Sequence, residues 1–146
     1  MLYFLDTSAL LKHYRKEAGT EFIETIFQNQ ESILTISTIS VLEAISALDR
    51  LFRRGLINQK ELEQSLSLLE NELSSMRIGV IEQTPSHVLQ AKSLIIEHHL
   101  ASNDALILAT ALALKPYPHY FVTSDIVQLH AAESCGLKIL NPLSSP

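Results

Sequence analysis

Five short apolar runs, spaced along the whole chain, constrain its fold more than any other feature. They are Leu2–Leu5, Ser32–Ser37, Ile78–Ile81, Tyr120–Thr123 and Leu137–Leu140. Each is too short for a stable helix, and most are β-branched or aromatic, as a buried strand requires. The stretches between them keep helical spacing instead. Ala9–Tyr14 suits a short helix, and Gly19-Thr20 opens another through about Gln28. From Ile39 to Arg54 the apolar residues Val41, Ala44, Ile45, Leu48, Leu51 and Phe52 recur on a helical period, and Gly55 supplies the stop. Gln59–Met76 turns Leu62, Leu66, Leu69 and Leu73 inward, and Thr84-Pro85 opens a helix to about His98. Asn103–Leu114 is apolar almost all round, and Ile126–Ser134 ends at Gly136. Strands alternating with helices predict a single α/β domain over residues 1–146, three layers with a mainly parallel central sheet flanked by helices.

Composition agrees with this. Of the 146 residues 47% are hydrophobic and 18% charged, which excludes a disordered chain. A chain of this length buries roughly two-thirds of its unfolded surface and folds without a disulfide or structural metal. The one cysteine, Cys135, forms no internal disulfide and fits a reducing compartment. No stretch approaches the roughly 20 apolar residues that span a bilayer. Met1 to Asp6 lacks the positive start of a secretory signal. A soluble, cytoplasmic protein is expected.

The net charge of −5 argues against a broad basic surface for nucleic acid. Its distribution says more. Only four Asp occur, and three of them stand where a strand ends or a helix begins: Asp6, Asp104 and Asp125; the fourth, Asp49, is mid-helix. Open parallel sheets bind ligands beyond the carboxyl ends of their strands, where strand order reverses. Glu43 follows the second strand at a comparable place. Each also has a plain structural reading. Asp6-Thr7-Ser8 and Thr123-Ser124-Asp125 are ordinary helix caps, and Asn103-Asp104 reads as a cap with a favourable charge at a helix start. On a helical wheel Glu43 falls opposite the apolar stripe of its helix, which points to solvent unless that face borders a cleft.

Taken in order, the motifs carry a family resemblance. Phe4-Leu5-Asp6-Thr7-Ser8-Ala9-Leu10-Leu11-Lys12 resembles the opening motif of PIN-domain ribonucleases, above all the VapC-like toxins of toxin–antitoxin pairs. Ser40-Val41-Leu42-Glu43 resembles the second motif, and Leu100 to Ala111, with Asn103-Asp104 inside it, the third. Phe121-Val122-Thr123-Ser124-Asp125, followed by Ala131-Ala132, Gly136-Leu137 and Asn141-Pro142, resembles the C-terminal stretch. Residues 55–80 carry no motif. One departure stands out: Ile126-Val127 follows Asp125 where relatives usually carry a basic or polar pair.

The resemblance implies a PIN-like, Rossmann-like sheet in which the first and fourth strands are neighbours, so that Asp6, Glu43, Asp104 and Asp125 meet as catalytic acids. Clustered carboxylates raise one another's pKa unless a cation lies among them, and oxygen-only ligands select hard ions. Mg²⁺ or Mn²⁺ is implied, with Asp6 and Asp104 as direct ligands and Glu43 and Asp125 completing the set or orienting water. Thr7 and Ser124 are expected to steady the acids through their hydroxyls. The expected reaction is hydrolysis of RNA phosphodiester bonds.

Without the four acids the balance is 12 Asp and Glu against 11 Lys and Arg. Six of those cations are bunched, Lys12, Arg15 and Lys16 after Asp6 and Arg50, Arg53 and Arg54 after Glu43, where they are placed to hold RNA phosphates or simply to solvate helix faces. The implied partners are RNA and an antitoxin protein, with a homodimer as a further arrangement and no membrane. Two alternatives stand beside this reading: a catalytically inactive PIN-like binding protein, and an acid-cluster phosphatase or phosphoryl-transfer domain. A haloacid-dehalogenase-like phosphatase wants a second Asp two residues after the first, and position 8 is Ser. A receiver domain wants paired acids at its first strand and a Lys near its fifth, and neither stands here in that form.

Overall fold

The computed structural model describes residues 1–144. Along the chain run β1 (Leu2–Leu5), α1 (Thr7–Tyr14), α2 (Thr20–Gln28), β2 (Ile33–Ser37), α3 (Thr38–Arg53), α4 (Gln59–Ser74), β3 (Ile78–Ile81), α5 (Pro85–His98), α6 (Ser102–Ala113), β4 (His119–Val122), α7 (Ile126–Ser134) and β5 (Lys138–Leu140). All five strands pair in parallel, in the order β3-β2-β1-β4-β5. The chain therefore builds outward from β1 in one direction and then returns to its other side. That reversal falls between β1 and β4, with Leu5 in register with Val122.

Alternation along the central strands divides the core in two. Leu5 and Val122 turn to one face, where α1, α2, α3 and α4 bury Leu10, Ile23, Leu48 and Leu69. Phe4 and Phe121 turn to the other, against Leu94 of α5, Ile107 and Leu108 of α6 and Ala131 and Ala132 of α7. Phe4 and Phe121 stack at 6.0 Å between ring centroids, and Tyr3 and Tyr120 do the same on the opposite face. The expected α/β architecture with helices on both faces is present.

Several boundaries differ from expectation for identifiable reasons. α1 begins at Thr7 rather than Ala9, because Asp6 caps it directly. α4 stops at Ser74 because Met76 takes a left-handed backbone with φ 59°. α6 begins at Ser102 with Ala101 at the cap position, so Asn103 and Asp104 lie inside the first turn instead of capping it. Gly19 has φ 88°, and a Cβ there would stand 2.9 Å from the Pro142 carbonyl oxygen, so only glycine lets the α1–α2 turn approach the C-terminal segment this closely. No helix among the described residues is long and apolar enough to cross a membrane.

Candidate functional site

Asp6 follows directly on β1 and is 2% exposed. Its backbone N–H donates to the Val122 carbonyl (3.0 Å), which holds the ends of β1 and β4 together. One carboxylate oxygen, Oδ1, accepts from the Ala9 N–H (2.8 Å) and from Ser8 Oγ (2.7 Å); the other, Oδ2, accepts from Thr123 Oγ1 (2.5 Å). Burial pushes its pKa up to about 6 against the pull of those three hydrogen bonds, and the Asp104 charge adds to the rise.

Asp125 caps α7 in the same manner, its Oδ1 accepting from the Gln128 N–H (3.0 Å). Its own N–H donates to Thr123 Oγ1 (3.0 Å). The cap reading of both Asp residues is thus correct, and it is compatible with a site. A cap places its carboxylate at a helix start, and here two helix starts follow neighbouring strands.

Glu43 lies half-buried in the second turn of α3. It does not face open solvent, as its place on the wheel suggests, because that side of α3 is turned toward α1 and α6. Thr7 Oγ1 donates to Glu43 Oε1 (2.7 Å) and Asn103 Nδ2 to Oε2 (3.3 Å). Asp104, in the first turn of α6, has no hydrogen-bond donor on its carboxylate among the described residues. Burial, then the charges of Asp125 and Glu43, push its pKa up to about 6. Gln128, buried at the start of α7, donates to the Asp104 carbonyl (3.1 Å) and ties the two helix starts together. The four acids, from four separate stretches of chain, therefore share one electrostatic neighbourhood at the carboxyl end of the sheet.

Two residues at the centre of this network escaped the sequence reading. Thr123 and Ser8 hold Asp6, whereas attention falls on their neighbours Thr7 and Ser124. Thr7 does bond an acid, Glu43. Ser124 bonds Ser8, through its N–H (3.0 Å) and its hydroxyl (3.0 Å), and reaches Asp6 only through it. Strand alternation carries the usable signal. Thr123 lies one residue past Val122, in register with the position just past Leu5, which is Asp6.

The six bunched cations lie elsewhere. Lys12 is 6% exposed and its ammonium pairs with Glu17 (3.1 Å), so it is not a surface phosphate contact. Arg15 and Lys16 follow the C-terminal end of α1. Arg50 and Arg53 sit in the last turns of α3 and Arg54 caps it, roughly 10–16 Å along the helix from Glu43 at 1.5 Å per residue. Arg50 donates to Ser46 Oγ (3.1 Å) and Arg53 pairs with Asp49 (2.9 Å). Both bunches thus stand at the ends of helices that begin near the acids, and of the six only Lys12 is buried.

The donor set, carboxylate and hydroxyl oxygens, is chemically that of a hard-cation site. The side chains as they stand do not close on one point: among the described residues no three His, Cys, Asp or Glu form a group arranged to hold a metal ion. Hydrogen bonds occupy Asp6, Glu43 and Asp125, and Asp104 alone is without one.

A family model described as the PIN domain matches residues 3–116, well over half of the chain and all of the first three motifs. The chain belongs to the PIN-domain family. Solved structures share its PIN fold. VapBC2 from Rickettsia felis, bound to a DNA fragment from its promoter, is 22% identical, with 97% of this chain and 98% of that one covered and a TM-score of 0.66. A toxin–antitoxin complex from Klebsiella pneumoniae is 16% identical over 96% and 97%, with a TM-score of 0.66. VapC20 of Mycobacterium tuberculosis, a sarcin–ricin loop cleaving toxin, is 16% identical over 99% of both chains, with a TM-score of 0.68. At these identities the likeness is one of fold. No curated protein matches the sequence.

Proposed function

We propose that this PIN-domain chain, acting as one domain over its length, is a ribonuclease that hydrolyses RNA phosphodiester bonds with Mg²⁺ or Mn²⁺. The observation that carries the proposal is the state of Asp104. Among the described residues it is an acid without a hydrogen-bond partner, pushed up to about 6 by burial and by the charges of Asp125 and Glu43. Such an accumulation of unbalanced negative charge favours a cation. Asp6 and Asp104 would hold the ion, with a small movement of the Asp6 carboxylate from its present hydrogen bonds. A bound divalent ion supplies neutralisation of phosphate charge and activation of water. Glu43 and Asp125 orient the attacking water, and Thr7, Ser8 and Thr123 keep the carboxylates aimed.

The same reading makes the chain the toxin of a toxin–antitoxin pair. The R. felis and K. pneumoniae structures of this fold are toxin–antitoxin assemblies, and M. tuberculosis VapC20 cleaves RNA. An antitoxin of this toxin would cover the acids, with a basic side chain brought near them. Leu42, Ile45 and Phe52 of α3, Leu56 in the turn after it and Leu68 of α4 stay exposed and offer an apolar surface to such a partner or to a second copy. The inward leucines Leu62, Leu66, Leu69 and Leu73 are occupied by the core.

The test is cleavage of a mixed RNA pool in Mn²⁺ and in chelator. Cleavage confined to the metal condition, and lost in Asp104→Asn, is expected. Absence of cleavage by the wild-type protein in Mn²⁺ removes the ribonuclease reading and leaves the inactive binding protein.

A further inference from the structure

Ile126 and Val127 open α7 directly after Asp125, and they are 54% and 55% exposed. This is an unfavourable place for them. Helix first turns favour polar and acidic side chains, β-branched residues are poor helix formers, and neither side chain is covered by the core. A local rule broken without a structural gain points to function.

The charge around them is equally informative. Among the described residues, the segments at this end of the sheet (6–9, 37–43, 82–87, 101–105, 123–128 and 141–144) contain no Lys or Arg. Lys92 of α5 lines an apolar groove with Ser102 and Leu106, on the face of α6 opposite Asp104. A polyanion laid over the acids therefore meets no side-chain cation at this rim. Neutral contact is what the rim offers: Leu42 and Leu143 are exposed on it too, and Ile126 and Val127 are the exposed apolar pair that adjoins Asp125. Ile126 and Val127, the first two residues of α7, together expose apolar area on the scale of one base, too little to anchor a protein by itself.

We infer that Ile126 and Val127 form an apolar step against which one unpaired base of the RNA lies, beside the bond held over Asp104 and Asp125. The inference rests on the ribonuclease reading and deepens it: the step selects RNA whose base is free to leave its stack, and it supplies grip at a rim whose described segments carry no Lys or Arg. Base contacts of this kind tolerate any sequence, because every base has an apolar face.

The test uses the full chain carrying Asp104→Asn, which binds RNA without cutting it, with and without Ile126→Ser/Val127→Ser, in Mg²⁺. The probe is a short single-stranded RNA and a set of copies each lacking one base. Expected are an affinity about tenfold lower for I126S/V127S, a similar loss for the D104N protein when one particular base is missing, and no further loss when both changes are combined. In the cleaving protein the same double substitution raises KM and leaves kcat nearly unchanged. Its melting temperature stays equal or rises, since Ser suits a helix start better than Ile or Val. Unchanged affinity overturns the inference and leaves these residues to a protein partner; losses that simply add overturn it as well, because no single base then lies against the step. A wild-type protein that cleaves no RNA refutes the ribonuclease reading separately, because the binding measurements decide the step on their own.

Discussion

The Thr123 hydroxyl donates to Asp6 Oδ2 at 2.5 Å and also accepts the Asp125 N–H at 3.0 Å, so one side chain at the end of β4 sets the positions of two acids. Asp6 is fully buried, and this bond is the foremost influence opposing the rise in its pKa. Thr123→Val keeps the shape and removes both bonds. It should destabilise the fold by about 1–3 kcal/mol, the usual cost of a buried polar group left without its partner, and slow cleavage by raising the Asp6 pKa further. Thr123→Ser should restore most of both. Urea melts and cleavage rates of the two variants check this, and equal behaviour of Val and Ser would show that the hydroxyl is dispensable.

Asp104 makes a contrasting case, because among the described residues no donor satisfies its carboxylate. Replacing it with Asn removes charge repulsion from Asp125 and Glu43 and breaks no side-chain hydrogen bond. In chelator, Asp104→Asn should melt at or above the wild-type temperature. Its metal-dependent cleavage should fall at least roughly a hundredfold, the scale of losing a positioned catalytic group. A variant that unfolds instead would make Asp104 a structural residue.

The fold was legible because short strand-like runs rich in β-branched and aromatic residues, such as Leu2–Leu5, alternate cleanly with stretches of helical period. Asp6 and Asp125 were legible as strand-end acids because a helix cap and a strand-end ligand occupy the same position. Glu43 was harder. A helical wheel knows only its own helix, and the neighbours that bury this side chain, Thr7 and Asn103, are 36 and 60 residues away. Lys12 misled for the same reason, since its partner Glu17 follows a turn whose path local pattern does not specify. The hydroxyls of Ser8 and Thr123 stayed hidden because Ser and Thr beside a cap residue are common in any helix start.

The pKa values of Asp6 and Asp104, both raised to about 6, fix a pH dependence. Between the ordinary value of 3.8 and about 6 the folded protein binds protons that the unfolded chain has lost. The stability of the metal-free protein is therefore greatest at the acid side of this window and falls as pH rises through about 6. For buried Asp6 the loss is about 3 kcal/mol at 1.36 kcal/mol per pH unit; half-exposed Asp104 adds to it less, because solvent screens it. Melts in chelator from pH 4.5 to 7.5 should show the decline, and Asp6→Asn should flatten it. Added Mg²⁺ should raise the melting temperature only at the upper end, where the ligands have lost their protons. Equal melting curves with Mg²⁺ and with chelator at pH 7.5 would count against a metal site.

A second pH window belongs to His13, away from the acids. Its ring stacks on Phe27 at 3.7 Å, Nδ1 lies 2.6 Å from Glu24 and Nε2 2.7 Å from Glu72, so α1, α2 and α4 meet on one imidazole. Burial opposes the charged ring, yet the hydrogen bonds and charges of Glu72 and Glu24 outweigh it and raise the pKa above 6.5. Both nitrogens face carboxylates, and only the doubly protonated ring donates to both. The clamp therefore contributes fully below pH 6.5 and is lost as pH rises through the raised value, above the window of Asp6. His13→Gln should cost roughly 1.5–3 kcal/mol at pH 6, the worth of hydrogen bonds to charged groups, and little at pH 9. Chelator melts of Asp6→Asn/Asp104→Asn isolate this upper decline. If that protein keeps constant stability between pH 6 and 9, His13 does not hold the helices through its charge.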